Sequence, residues 1–455
     1  MSDGPANDLW IGKAPSDWQR MRIRTVAALS PNYSASRPAL DELCAVVPME
    51  LLSDDGAVDV SNQQVLDEIS TGLPLFEKGD VLFAKITPCM ENGKGAFVRQ
   101  LSTRYAFGST EFHVLRPSKK IDGQFLYYAT FNPVYRAYAA ENMVGAAGQK
   151  RVSSRFLKDT RLFLPPLPEQ HRIAGYLDAS CRAIDAAVAA KRRQLETLDV
   201  VRGSLIETAV TRGMNTGAKN RQIDQDWIAS LPEHWTAERI KRVVSRADYG
   251  ISVSTEQEGR YRVLKMGNVQ GGEIVFSKME FVDDVIDNLL LETNDLLYNR
   301  TNSPDQVGKA ALFRGRGEDR VTFASYLVRL RANHRVVPEF LNYVLNCGAF
   351  LTFARRLAIP SVQQSNLNST RYCRLTIPRP PIAEQNAICE YLGAKVSEIK
   401  RVVGAIESQI AALTAYRKSL IHECVTGQRR ISEADVRRAC DCLSKAGPLH
   451  STNQA

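Results

Sequence analysis

The side chains of this sequence best suited to act on something outside the chain are basic and amide groups in loop-like stretches. Arg99, Arg104, Gln149, Lys150, Arg151 and Arg155 lie in the first half, and Arg300, Lys309, Arg314, Arg316, Arg320, Gln364 and Asn366 in the second. Lys and Arg neutralise phosphate, and Arg, Lys, Gln and Asn reach base edges in a major groove. The set therefore makes these residues candidates for contact with DNA. Groups that make or break covalent bonds do not assemble in the same way. There is no Gly-x-x-x-x-Gly-Lys-[Ser/Thr], no His-Glu-x-x-His and no paired Cys-x-x-Cys, and the six histidines are scattered. Asn132-Pro133-Val134-Tyr135 approaches the Asn-Pro-Pro-Tyr of amino-methyltransferases, but Val134 replaces the second proline and no glycine-rich cofactor loop accompanies it. Asn-Pro is also a common turn. Gly93-Lys94-Gly95, echoed at Gly308-Lys309, reads as a turn kept twice. No catalytic residue, bound cofactor or metal site is expected.

These residues sit on a framework that occurs twice. Pro165-Pro166-Leu167-Pro168-Glu169-Gln170 returns as Pro380-Pro381-Ile382-Ala383-Glu384-Gln385, an offset of 384 − 169 = 215. The same shift aligns Asp80 with Asp295, Gly93-Lys94 with Gly308-Lys309, Gln149 with Gln364, and Ser204-Leu205-Ile206 with Ser419-Leu420-Ile421. Near the start of each half a Pro-x-x-Trp recurs at Pro15–Trp18 and Pro232–Trp235, where 235 − 18 = 217. Such self-similarity sets the architecture. Up to each proline cluster the pattern is mixed, with short β-rich runs such as Asp80–Ala84 and Glu111–Leu115 separated by Gly, Pro and Ser.

After each proline cluster the pattern turns helical with a seven-residue repeat. Leu392, Ile399, Ile406, Leu413 and Leu420 have Val396, Val403, Ile410, Arg417 and Cys424 as the companion series. The first copy runs Leu177, Ile184, Lys191, Leu198 and Leu205, with Cys181, Val188, Leu195, Arg202 and Ala209. A heptad seam wants a partner helix, and the other copy is the nearest candidate. Glu169 and Glu384 suit the positive ends of the helix dipoles. From Leu177 to Leu205 such a helix spans about 42 Å at ~1.5 Å per residue. That length suits a ruler holding two modules roughly one DNA turn apart, about 34–36 Å.

The expected fold is α+β (mixed α/β): two duplicated globular modules separated by two long helices that form an antiparallel coiled coil. The expected divisions are an N-terminal extension (1–13), a first module (14–167), a long helix (168–215), a linker (216–231), a second module (232–382), a second long helix (383–430) and a polar tail (431–455). Lys+Arg 59 against Asp+Glu 50 gives a net charge of +9, which leans towards a polyanionic partner. No apolar run approaches the roughly 20 residues a bilayer demands, so no membrane partner is expected. The first residues lack a basic segment followed by an apolar one, and nine scattered cysteines suit a reducing compartment. Both features point to a cytoplasmic location.

The architecture resembles the specificity subunit of type I restriction-modification systems. Leu-Pro-Pro-Leu-Pro-Glu-Gln-His-Arg-Ile-Ala at 164–174 and Ile-Pro-Arg-Pro-Pro-Ile-Ala-Glu-Gln-Asn-Ala-Ile at 377–388 carry the likeness, with Gln364-Ser365-Asn366-Leu367 before the second. Lys150-Arg151-Val152 departs from that last pattern in the first copy. The likeness runs from about Ala14 to about Arg430 and implies that the modules are target recognition domains. It further implies a non-catalytic subunit that binds double-stranded DNA. S-adenosylmethionine would belong to modification (methyltransferase) subunits, two of them, and ATP and Mg to restriction/translocase subunits. Unlike modules imply an asymmetric, bipartite target. Two competing readings are a self-contained DNA methyltransferase or nuclease, and a coiled-coil scaffold without sequence preference.

Overall fold

Val81-Leu82-Phe83-Ala84 is an unbroken apolar run because its strand is covered on both faces. Val81 and Phe83 point into one core with Leu115 and Phe125, and Leu82 into another with Ala96 and Val114. Leu296 and Tyr298 face one core of the second copy while Leu297 faces the other. Burying each such side chain is worth about 1.5–3 kcal/mol. The computed structural model describes residues 10, 15–34, 37–146, 148–215, 217–315, 319–361 and 364–445. It divides into two units, residues 1–192 with 407–455 (unit 1) and residues 193–406 (unit 2).

In unit 1 the strands Ala27–Leu29, Phe112–Pro117, Val81–Ala84 and Gly95–Phe97 form one antiparallel sheet in that order. A second sheet orders Gln63–Val65, Leu43–Val47, Ala106–Gly108 and Leu75–Phe76, with its middle pair parallel. Helix Gly123–Phe131 starts on Asp122, whose side chain accepts from the Phe125 amide. Helix Pro133–Glu141 starts on buried Asn132, which accepts from Val134 N, with Pro133 in its first turn. The Asn-Pro element thus caps a helix. Unit 2 carries a six-stranded sheet, ordered Val244–Tyr249, Leu327–Ala332, Asp295–Asn299, Ala310–Leu312, Gly272–Ile274 and Val269–Gln270.

Each module closes by pairing its first strand with its last. Gln19–Arg22 runs antiparallel to Arg161–Leu164, and Thr236–Arg239 to Thr376–Arg379. The chain then passes through the proline cluster into a helix of 46 residues, Leu167–Arg212, or of 44, Ile382–Val425. The Gln of each cluster fastens helix to module. Gln170 Nε2 donates to Pro165 O (2.8 Å) and Lys120 O (3.2 Å), and its Oε1 accepts from Asp122 N (2.8 Å). Gln385 repeats this with Pro380 O, Arg335 O and Val337 N.

Within unit 1, residues 167–192 pack antiparallel against residues 407–425. Leu177, Cys181 and Ile184 share a core with Leu420 and Cys424, and Asp185 pairs with Arg417 at 3.0 Å. Within unit 2, Leu205 and Ala209 meet Ile388 and Leu392. The expected seam is legible along both helices. Leu177, Ile184, Leu392, Ile406 and Leu420 are buried and Leu198, Leu205, Ile399 and Leu413 half-buried, whereas off-seam Val200, Val201 and Val402 are exposed.

Five of the expected divisions change. Both helices end earlier than 215 and 430, at glycines in the left-handed region, Gly213 (φ +74) and Gly427 (φ +76). The linker forms a hairpin, Asn220–Gln225 with Ile228–Pro232. It buries Ile228 and Leu231, and Trp227 Nε1 donates to Thr376 O at 2.8 Å. The C-terminal segment is not only a polar tail. Residues Glu433–Lys445 form a helix, started by a reciprocal Ser432/Asp435 hydrogen-bond pair, that lays Val436, Ala439 and Leu443 on the core of unit 1. The first module also begins before residue 14, since Trp10 is buried against the Tyr135 ring at 5.0 Å.

Candidate nucleic-acid interface

The first sheet of unit 1 has one end at the long helix, where Asp122 N meets Gln170, and its other end at Ala84. Loops gather at the Ala84 end into a rim. Arg151 bridges both Ile86 and Val144 in antiparallel fashion, and its guanidinium forks onto Glu111, Nε to Oε2 at 3.0 Å and Nη2 to Oε1 at 2.8 Å. That fork holds the Glu111 carboxyl below the usual range. Gln149 and Lys150 stand exposed beside it, and Arg155 lies exposed on the following helix, Ser154–Asp159.

The corresponding rim of unit 2 is a three-stranded patch. Thr301–Asn302 pairs with Gln364–Asn366, which pairs in turn with Ile359–Ser361. Asn366 Nδ2 donates to Thr301 Oγ1 at 3.0 Å, and Gln364 is exposed. Arg300 lies 5.0 Å over the Tyr249 ring and donates through Nη1 to Ser325 O, while its Nε is buried without a partner. Tyr249 and Tyr326 are exposed at 41 % and 46 %, an aromatic surface beside a guanidinium. Bases and sugars favour such surfaces.

Other candidate residues lie away from the rims. Arg99 donates to Gln124 and pairs with Asp178 of the long helix, so it ties module to helix. Arg314 pairs with Glu339. Lys309 Nζ donates to Gln306 Oε1 at 2.8 Å and lines, with Arg314, a cleft of about 230 Å³ beside the long helices within unit 2. Arg104 covers the Tyr105 ring at 5.1 Å on the second sheet. Arg320 is exposed with φ +48, and Arg316 lies outside the described residues. Four exposed side chains that the sequence did not single out, Val144, Tyr249, Tyr326 and Ile359, join the rims. Only Val144 and Ile359 carried a signal, being 215 residues apart.

Among the described residues no group of three His, Cys, Asp or Glu could hold a metal ion, and no helix is long and apolar enough to cross a membrane. Burial pushes the Cys181, Cys347, Cys389 and Cys424 thiols up to about 12, so these are packing groups rather than nucleophiles.

Residues 15–197 match the family model of the type I restriction modification DNA specificity domain. The chain is 30 % identical over 225 residues to the type I restriction enzyme EcoAI specificity subunit of Escherichia coli, a match covering 49 % of this chain and 36 % of that protein. It is 33 % identical over 164 residues to the EcoEI specificity subunit of Escherichia coli, covering 35 % of this chain and 27 % of that one. The chain thus spans about a third of the length of these two relatives. The MjaVIII specificity subunit of Methanocaldococcus jannaschii is 21 % identical over 92 % of this chain and 94 % of its own. A solved chain from a study of assembly and conformational transition in a type I R-M system has TM-score 0.72 at 16 % identity, covering 92 % of this chain and all of that one. The HsdS subunit from Thermoanaerobacter tengcongensis has TM-score 0.52 at 17 % identity, covering 94 % and 100 %. Residues 15–197 are thus similar to the type I restriction modification DNA specificity domain, and longer stretches of the chain are similar to type I restriction enzyme specificity subunits.

Proposed function

We propose that this chain reads double-stranded DNA for a type I restriction-modification complex and does no chemistry itself. Each rim reads one part of an asymmetric, bipartite target. The observation that carries the reading is the duplicated rim: one loop cluster, formed twice on one framework, with Gln149 and Lys150 exposed in one copy, Gln364 exposed beside half-buried Arg300 in the other, and little identity between them. Divergent rims on a shared framework suit divergent half-sites. Phosphate contacts from Lys150 and Arg300 would supply affinity, and amides such as Gln149 and Gln364 would supply base choice.

Modification subunits, two of them, and restriction/translocase subunits complete the proposed assembly. S-adenosylmethionine, ATP and Mg act on those chains. The reducing compartment suggested by the cysteine usage is the cytoplasm. Mapping methylated sites in cells with and without this chain tests the reading. We expect a bipartite motif that vanishes when the chain is removed. An unchanged methylation map, or methyl transfer by the purified chain alone, refutes it.

A further inference from the structure

Three paired segments recur at both rims. In unit 2 they are Thr301–Asn302, Gln364–Asn366 and Ile359–Ser361, with Asn366 opposite both Thr301 and Ile359. In unit 1 Arg151 stands opposite both Ile86 and Val144. Every member is shifted by the same amount: 301 − 86, 366 − 151 and 359 − 144 all equal 215. The outer member, a strand in unit 2 and a single bridged residue in unit 1, is paired on one side only among the described residues. It carries Val144, 61 % exposed, in one and Ile359, 49 % exposed, in the other. All of Ile359–Ser361 is exposed, and Pro360 offers no N–H to a further strand, so the edge is not arranged for sheet extension.

A β-branched apolar side chain is thus exposed at the same place in two otherwise divergent loops, and neither Val144 nor Ile359 belongs to a hydrophobic core among the described residues. Its surroundings are hydrogen-bonding and basic. Gln149 and Lys150 flank Val144, Gln364 faces Ser361, and Arg151 and Arg300 lie at the base. The acid of the first rim, Glu111, is neutralised by Arg151. A two-stranded ribbon fits a major groove about 12 Å wide, and the apolar feature that groove displays is the thymine methyl.

We infer that these edge strands are the elements that enter the groove, and that Val144 and Ile359 each contact a thymine methyl and so fix one A·T pair in its own half-site. The inference rests on the DNA-reading proposal above and adds which strand enters and which base pair it selects. Selection from randomised duplexes by the full-length chain tests it, comparing the wild type with Val144→Ser, Ile359→Ser and an exposed control in unit 2, Ile286→Ser. The wild type should enrich a bipartite site. Ile359→Ser should lose the A·T preference at one position of one half-site, and Val144→Ser at one position of the other. Each should bind the original site about ten- to hundredfold more weakly, as for one mismatched pair. The salt dependence should not change, because no phosphate contact is removed. Ile359→Val and Val144→Thr, which keep a methyl, should retain the preference, and Ile286→Ser should match the wild type. Serine variants that keep the wild-type preference, or lose both half-sites together, overturn the inference while the DNA-reading proposal stands. A wild type that enriches nothing overturns both.

Discussion

Asp80 and Arg116 in unit 1 repeat in Asp295 and Arg331 in unit 2, each carboxylate accepting two guanidinium bonds of 2.7–2.8 Å. Both Asp side chains also accept a backbone amide three residues upstream, Glu77 N at 2.8 Å and Glu292 N at 2.9 Å. Gln170 and Gln385 repeat with the same fidelity. Elsewhere the units part company. In the helix seam of unit 1, Asp185 pairs with Arg417. The equivalent positions in unit 2 (185 + 215 and 417 − 215) hold two cations, Lys400 and Arg202. Lys400 turns to Glu273 at 2.7 Å and Arg202 to Asp199 at 2.6 Å. Duplicated sequence has therefore kept the groups that close backbone hydrogen bonds in the interior. It has drifted where a side chain can find a substitute partner at the surface, and most of all at the rims, where the proposed partner is outside the chain.

The largest test of that contrast is Asp295→Ala. Arg329 is wholly buried, with Nη1 3.8 Å from Asp295, and Arg331 forks onto the same carboxylate, so two cations lose a partner, Arg329 keeping Asp248 and Arg331 keeping Glu292. An uncompensated buried charge costs about 3–5 kcal/mol, and the carboxylates that remain hold the expected loss below that range. Asp80→Ala takes a carboxylate from Arg116 alone, which is one-fifth exposed and keeps Glu77 at 3.1 Å, so urea unfolding should show the smaller loss in unit 1. Equal losses would remove the distinction.

Asp185→Lys imposes the unit 2 charge pattern on unit 1 without a Glu273 counterpart. Because Asp185 is about a third exposed, we expect a loss of only about 1 kcal/mol. A gain in stability would mean that the seam pair is not favourable.

The smallest effect is a pH dependence confined to unit 1. His113 is buried with Nε2 2.8 Å from Val152 O, and burial pulls its pKa below the ordinary value. As pH falls below about 6.5 the unfolded chain takes up a proton that the folded unit resists, so stability is lost on acidification. Val328 holds the equivalent place in unit 2. His113→Val should remove this part of the acid sensitivity of unit 1, seen as a flatter curve of melting temperature against pH.

The heptads could be read from sequence because a coiled-coil seam is a one-dimensional pattern, and every seam position from Leu177 to Ala209 is at least half-buried. The Gly-Lys turn was equally plain: Gly93 and Gly308 sit at φ +87 and +85. The start of the duplicated unit was harder to see. Trp10 and Trp227 lie 217 residues apart, as Trp18 and Trp235 do, yet the segments between look polar and read as extension and linker. Basic residues were the least legible. Arg99 and Arg151 are alike in type and in loop-like setting, and only the fold sends one to Asp178 and the other to a rim. The motif Gln residues were also opaque, because their three partners lie in a loop about 50 residues away and in the proline cluster itself.

One further consequence follows from the two glycine ends of the helices. Gly213 rests on Trp235, which follows it in the chain, but Gly427 rests on Trp18, more than 400 positions earlier. Unit 2 is a single stretch, 193–406, whereas the core of unit 1 draws on residues between Leu413 and Leu443. On the ribosome, then, the half that emerges first must wait until the segment beyond residue 406 has been made before its hydrophobic interior is sealed, whereas the half that emerges second has all its residues by then.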